Sequence, residues 1–336
     1  MKLSSIDVRV EEVDENLFRM VIPQPFYEPN NIYLVADDLP MIIDTGYIGS
    51  FGYLVSGLKH LGYSLNKIEY ALITHNHVDH ISGSLLFSVY AKKIKKLGHY
   101  GLKKQSDYLI YFHSWIQENE RLIDLAFNEE ETRQKFKQII RNRWHTFLQQ
   151  FDKPVPKKGD RYIDLFRGLK DSDTFSTGKY EWEILETPGH NQWHITPVEN
   201  KKKWIFTGDL IIGNIPAIYS HSEGSVCDYI DSIGRLRDFK EYQFFPGHGE
   251  KMENPERKIK ILLKSLSIME KNLEKRIRDR QVDALELTKE MLGSAAQNED
   301  SLLLGIALTE SVLRKLLKEK KIDSTMYYNG YEVFHA

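Results

Sequence analysis

The stretch ALITHNHVDHISG, residues 71–83, brings His75, His77, Asp79 and His80 together within six residues, directly after a short apolar run. Imidazoles and carboxylates crowded this closely make poor core material, so a bound partner must stabilise them. The preceding KIEYALIT reads as a strand. In extended backbone alternate side chains share a side, so His75 and His77 face the same way. Asp79 and His80 follow where the loop bends into a helix, and face a second position a short distance away. The cluster holds one metal or half of two.

Further candidate ligands recur in the same local setting. LETPGHNQWH places His190 after a strand and a Pro-Gly turn, WIFTGDLI places Asp209 after a strand and a glycine, and FFPGHGE places His248 in a third such turn. A glycine beside each lets the backbone approach closely and adopt dihedrals that other residues avoid. The sole cysteine, Cys227, allows neither an internal disulfide nor a thiolate cluster, so any metal sits mainly on nitrogen and oxygen. Seven such ligands on four loops fit a two-metal site.

The 336 residues suggest about two domains, and 41% hydrophobic with 28% charged residues describe a globular chain. NLFRMVIP, NIYLVAD and PMIIDTG read as strands, and FGYLVSGLKHLGY as a helix that Gly62 ends. This alternation predicts a layered α/β domain. From about residue 100 to 150 the pattern becomes helical, with Phe136, Ile140, Trp144, Phe147 and Phe151 three or four apart, closed by the loop DKPVPKKGDRY. Strands resume at YEWEILETPGH, KKWIFTGDLI and EYQFFPGHGE. After Pro255 come helices again, the first striped by Leu262, Leu266, Met269, Leu273 and Ile277, and then TMYYNGYEVFHA, whose Asn-Gly signals a hairpin. The expected division is a hydrolase domain over 1–255, with a helical insertion at about 100–160, and a small helical, winged-helix-like domain over 256–336.

The order HxHxDH, PGH, GD, PGHG resembles the metallo-β-lactamase superfamily over about residues 15–250. The resemblance implies an αββα sandwich with the ligand loops at one edge. Carried over residue by residue, it gives His75, His77 and His190 to one metal and Asp79, His80 and His248 to the other, with Asp209 bridging. It makes Asp44, in IDTG, a support behind the ligand loops. It implies two divalent ions, zinc first, with iron or manganese as alternatives. The tail further resembles a glyoxalase-II-like subgroup with a carboxy-terminal winged-helix-like domain, one member of which is an endoribonuclease.

The expected activity is hydrolysis of a small ester, thioester or lactone by a metal-bridging hydroxide. Asp79 doubles as the group that orients the nucleophile, and Tyr219 donates a hydrogen bond to the carbonyl or leaving group, with a packed loop tyrosine as the alternative. His194 and His221 read as supporting histidines. Two other functions compete: a metal-dependent endoribonuclease on single-stranded RNA, and a noncatalytic metal-binding regulatory protein. Basic runs at 92–96, 201–203 and 314–321 would attract RNA phosphates, although such lysines more often form a solvated face. The apolar stripe on the tail helix suits core packing or a homodimer. No signal peptide or membrane span is readable, so the expected location is the cytoplasm.

Overall fold

The structure, a computed structural model, describes residues 7–25, 28–104, 108–127, 129–152, 164–218, 222–326 and 332–336. Its first sheet orders β1 (Arg9–Asp14), β2 (Leu17–Ile22), β3 (Asn30–Val35), β4 (Met41–Ile43), β5 (Tyr70–Ile73), β6 (Lys95–His99) and β7 (Arg167–Leu169), antiparallel to β4 and parallel beyond it. The second sheet runs, from its far edge, β8 (Thr174–Ser176), β9 (Glu181–Glu186), β10 (Ile195–Glu199), β11 (Trp204–Gly208) and β12 (Gln243–Pro246).

Strand periodicity explains the layering. Tyr33, Val35, Met41, Ile43 and Leu72 from one sheet pack against Trp182, Ile184, Trp204, Phe206 and Phe245 from the other. The intervening Ile32, Leu34, Ile42, Ala71, Ile205 and Phe244 belong to a second buried cluster. Strands β3, β4, β5, β11 and β12 are thus apolar on both faces, as a sheet sandwiched between a sheet and helices requires.

The helical layers comprise α1 (Phe51–His60), α2 (Val78–Ile81), α3 (Phe87–Tyr90), α4 (Tyr108–Ala126), α5 (Glu130–Asp152), α6 (Val226–Arg235), α7 (Pro255–Ile277), α8 (Ala284–Leu292) and α9 (Glu299–Lys318). Gly62, at φ 78°, follows α1 as expected. The insertion forms α4 and α5, joined where Phe127 stacks on Phe136 at 4.9 Å. The side chains of Trp144, Phe147 and Phe151, and most of the loop after α5, lie outside the described residues.

After α7, the tail closes with a small sheet in which β13 (Val282–Asp283) and β14 (Asp323–Met326) flank β15 (Glu332–His335). The stripe on α7 is used within the chain: Leu262, Leu266, Leu273 and Ile277 are buried in the same cluster as Ile116 and Ile123 of the insertion. Arg121 of α4 also meets Glu310 of α9 at 2.6 Å, tying insertion to tail. None of the described helices is long and apolar enough to cross a membrane.

Candidate metal centre

Every candidate ligand follows the end of a strand at one edge of the sandwich. β5 ends at Ile73, just before His75 and His77; β9, β11 and β12 end just before His190, Asp209 and His248. Asp79 and His80 sit in α2, the helix into which the first loop turns. The close approach of these loops demands glycine at one point: a Cβ on Gly247 would stand 2.5 Å from Asp209 Oδ1.

The side chains assemble into two groups, His75, His77, His190 and Asp209, and Asp79, His80 and His248, each with its ligand atoms within 4.8 Å of one another. Asp209 faces both. Its Oδ2 lies 3.8 Å from His190 Nε2 and 3.4 Å from His248 Nε2, and its Oδ1 lies 3.3 Å from His80 Nε2.

Hydrogen bonds behind the site set which nitrogen each ring turns inward. Asp44 accepts from Thr74 Oγ1 at 2.9 Å, so the Thr74 oxygen in turn accepts from His75 Nδ1–H at 3.0 Å and leaves the lone pair on Nε2. Asp44 Oδ2 also accepts from His80 Nδ1–H at 2.8 Å. His190 Nδ1–H donates to the Ala217 carbonyl at 2.6 Å, and His248 Nδ1–H to the Glu28 and Pro29 carbonyls at 3.1 Å. His77 is reversed: Nε2 faces Glu223 Oε2 at 3.4 Å, so Nδ1 points inward. Two inward nitrogens, His190 Nε2 and His77 Nδ1, then meet at 2.9 Å. Lone pairs so close need a proton or a cation between them. His75 Nε2, fully buried, has no hydrogen-bond partner in the protein. An inward array of imidazole nitrogens and carboxylate oxygens is the donor set that divalent transition metals take, and the residues therefore fit such ions.

Charge differs between the groups. Burial pulls the His75 pKa well down, and the neighbouring His80 and His77 add to it; burial and His77 push His190 down to about 4. At His80 and His248 burial acts in the same sense but is outweighed by Asp209 and Asp79, which hold His80 well above its ordinary value and lift His248 to about 10. Burial opposes ionisation of Asp209 and Asp79 as well, yet their imidazolium neighbours keep both below the usual carboxylate range.

All seven candidate ligands thus converge. Asp44 supports them as expected, at a φ of 63° that few residues besides glycine, asparagine and aspartate adopt readily. His194 is buried with Nδ1 on Thr187 Oγ1 at 2.8 Å, behind the site and in neither group. Tyr219 and His221 lie outside the described residues. Sequence reasoning missed Thr74, Glu223, Asn30 and Asn31. Asn31 Nδ2 clasps the last ligand turn through the carbonyls of Pro246 at 3.0 Å and Gly249 at 2.7 Å.

Replacing Asp44 with alanine removes the acceptor that fixes both His80 and, through Thr74, His75. Asp44→Ala is expected to weaken metal binding by about 10–100-fold, as loss of such supports does elsewhere. Competition against a chelator of known affinity measures it, and unchanged affinity would show that packing alone orients these rings.

Residues 26–248 match the sequence pattern of the Metallo-beta-lactamase superfamily. The chain is similar to the Probable metallo-hydrolase YqjP of Bacillus subtilis, at 24% identity over 337 residues that take in 95% of this chain and 97% of the relative. A stretch of 66 residues, 19% of this chain and 26% of the relative, is 38% identical to a hydroxyacylglutathione hydrolase of Bdellovibrio bacteriovorus. Among solved structures, a beta-lactamase domain protein from Burkholderia ambifaria matches with a TM-score of 0.72 at 15% identity, covering 97% of this chain and 93% of that one. A metallo-beta-lactamase family protein from Thermus thermophilus matches at 0.67 and 18%, covering 96% and 99%. At these identities the structural likeness concerns the fold alone.

Proposed function

This chain belongs to the metallo-β-lactamase superfamily and is a hydrolase with a divalent-metal site, and from that premise we propose that it hydrolyses a small ester, thioester or lactone at a two-cation centre. In this reading His75, His77 and His190 hold one cation, Asp79, His80 and His248 the other, and Asp209 is shared. The observation that carries it is the placement of the Asp209 carboxylate against both groups.

Divalent cations at such a centre supply an acidified water as nucleophile and polarise the substrate oxygen on which charge develops. The chain's own groups do the rest. Thr74, Asp44 and the carbonyls of Ala217, Glu28 and Pro29 lock the rings of His75, His80, His190 and His248, so little reorganisation is left for the reaction itself. Asp79, which accepts from Asn30 Nδ2 at 3.2 Å, is proposed to orient the nucleophile as well as to bind. Tyr219 keeps its proposed role as donor to the leaving group on its sequence position alone. Zinc suits the donor set best, and iron or manganese would accept it.

A thioester is supported by the stretch shared with a protein named hydroxyacylglutathione hydrolase. Cleavage of RNA is less well supported, because part of the positive charge in the basic runs is already engaged within the chain. Lys95 pairs with Glu69, Lys202 with Glu15, Arg314 with Glu332 and Lys315 with Glu270. The tail is proposed to form a winged-helix-like unit, and the lone cysteine suits a reducing cytoplasm.

The test is a panel of S-acylglutathione thioesters, lactones, aryl esters and single-stranded RNA, offered to zinc-loaded protein. Turnover of one ester class, lost on chelation and restored by zinc, is the expected result. Cleavage of RNA with no ester turnover would overturn it in favour of a nuclease.

A further inference from the structure

Asn30 is the first residue of β3, 1% exposed, and its backbone bridges to that of His248. Its side chain therefore reaches the ligand cluster from a fixed platform. The amide Nδ2 stands 3.2 Å from Asp79 Oδ2, 3.4 Å from His80 Nε2 and 3.4 Å from His248 Nε2. Those three atoms are themselves 3.3 Å (His80 to His248), 3.4 Å (His248 to Asp79) and 3.7 Å (His80 to Asp79) apart. The four atoms are thus the corners of a nearly regular tetrahedron. With edges of ~3.4 Å its centre is ~2.1 Å from every corner, the length of a zinc bond to imidazole nitrogen or carboxylate oxygen.

The fourth corner is occupied by the wrong end of the amide for a metal, since an amide nitrogen bears hydrogens and no available lone pair. The other end, Oδ1, is buried with no hydrogen-bond partner. A half-turn of the amide exchanges the two, so that the carbonyl oxygen takes the corner and, facing a cation there, the acceptor gains a partner. We propose that Asn30 Oδ1 is a ligand of the cation held by Asp79, His80 and His248. This rests on the two-cation reading above and assigns a further donor to one of its ions.

The test reads metal binding rather than turnover. Wild type, Asn30→Leu and Asn30→Asp are titrated with zinc against a competing chelator and, separately, with cobalt(II), followed by visible absorption. Wild type is expected to take two ions, and Asn30→Leu to hold one as before and the other about 10–100-fold more weakly, with altered cobalt bands. Asn30→Asp, which keeps an oxygen at the corner and adds charge, is expected to hold both at least as tightly as wild type. Wild type binding a single ion would overturn the two-cation reading and this proposal with it. Two ions in wild type, with equal affinities and cobalt spectra in Asn30→Leu, would overturn this proposal alone. Should Asn30→Leu fail to fold by circular dichroism, the aspartate variant decides, and weaker second-ion binding in it would overturn the assignment.

Discussion

Hydrolytic turnover by an Asp209→Ala variant is expected to fall by about a hundredfold to a few thousandfold, with weakened metal binding in both halves of the site. The carboxylate is 4% exposed and stands between His190, His80 and His248. Removing one member of a buried charge cluster leaves the others uncompensated, at a cost of about 3–5 kcal/mol, and about 1.4 kcal/mol corresponds to one power of ten. Three other candidate ligands remain in each group, so part of the affinity for each ion survives, but nothing is left to join the two groups. Asp209→Asn keeps the shape without the charge and is expected to fall nearly as far. Steady-state rates together with metal content by mass spectrometry measure this, and turnover within tenfold of wild type would remove Asp209 from the centre of the mechanism.

Metal binding at the two groups is expected to differ in its dependence on pH. In the metal-free chain His248 is lifted to about 10, and His80 also lies well above its ordinary value, because Asp209 and Asp79 face both. Near pH 7.5 this group therefore holds two imidazolium ions against two carboxylates. A divalent cation that displaces about two protons leaves the local charge unchanged, and protons compete with it until the pH reaches the raised values. Affinity at this group should climb by up to about a hundredfold per pH unit between pH 6.5 and 8.5. His75 and His190, both lowered, are neutral throughout that range and release no proton when a cation binds.

Calorimetric titration in buffers of different ionisation enthalpy counts the protons released. Release of none on loading the second ion would contradict the electrostatic asymmetry. The same linkage acts on folding of the metal-free chain. A histidine with a raised folded value contributes its full stabilisation below its ordinary pKa of about 6.5 and loses it as pH rises through the folded value. Metal-free protein should therefore lose stability from about pH 6.5 upward to about 10, and metal-loaded protein should not.

What could be read before the structure follows from how locally each feature is written. The seven candidate ligands were legible because each lies in a short motif just past a strand, beside a glycine or within one turn of another. Strands β3, β4, β5, β11 and β12 were legible as apolar runs because both of their faces are covered, and β9 by alternation, with Trp182 and Ile184 inward and Glu181 and Glu183 outward. Strand β6 was hidden by Lys95 and Lys96 in an otherwise short segment, although Lys95 reaches out to Glu69 at 2.5 Å. Strand β10 was hidden by Pro197, a residue that argues against a strand interior. The stripe on α7 announced a buried face without naming its cover, and the cover proved to lie within the same chain.

By itself the sequence determined most element types, the candidate ligand motifs and the family, because periodicity, turn chemistry and motif spacing are all settled within about ten residues. Only the tertiary structure decided which nitrogen each histidine turns inward, why His80 and His248 hold protons that His75 and His190 do not, and that Asn30 stands at the corner of a tetrahedron with three ligands. Those properties depend on the packing of two sheets, which sets separations such as that between Asn30 and His248, 218 positions apart in the chain and 3.4 Å apart in space. Electrostatics and coordination act through space at a few ångströms, and no local pattern in the chain records such a distance.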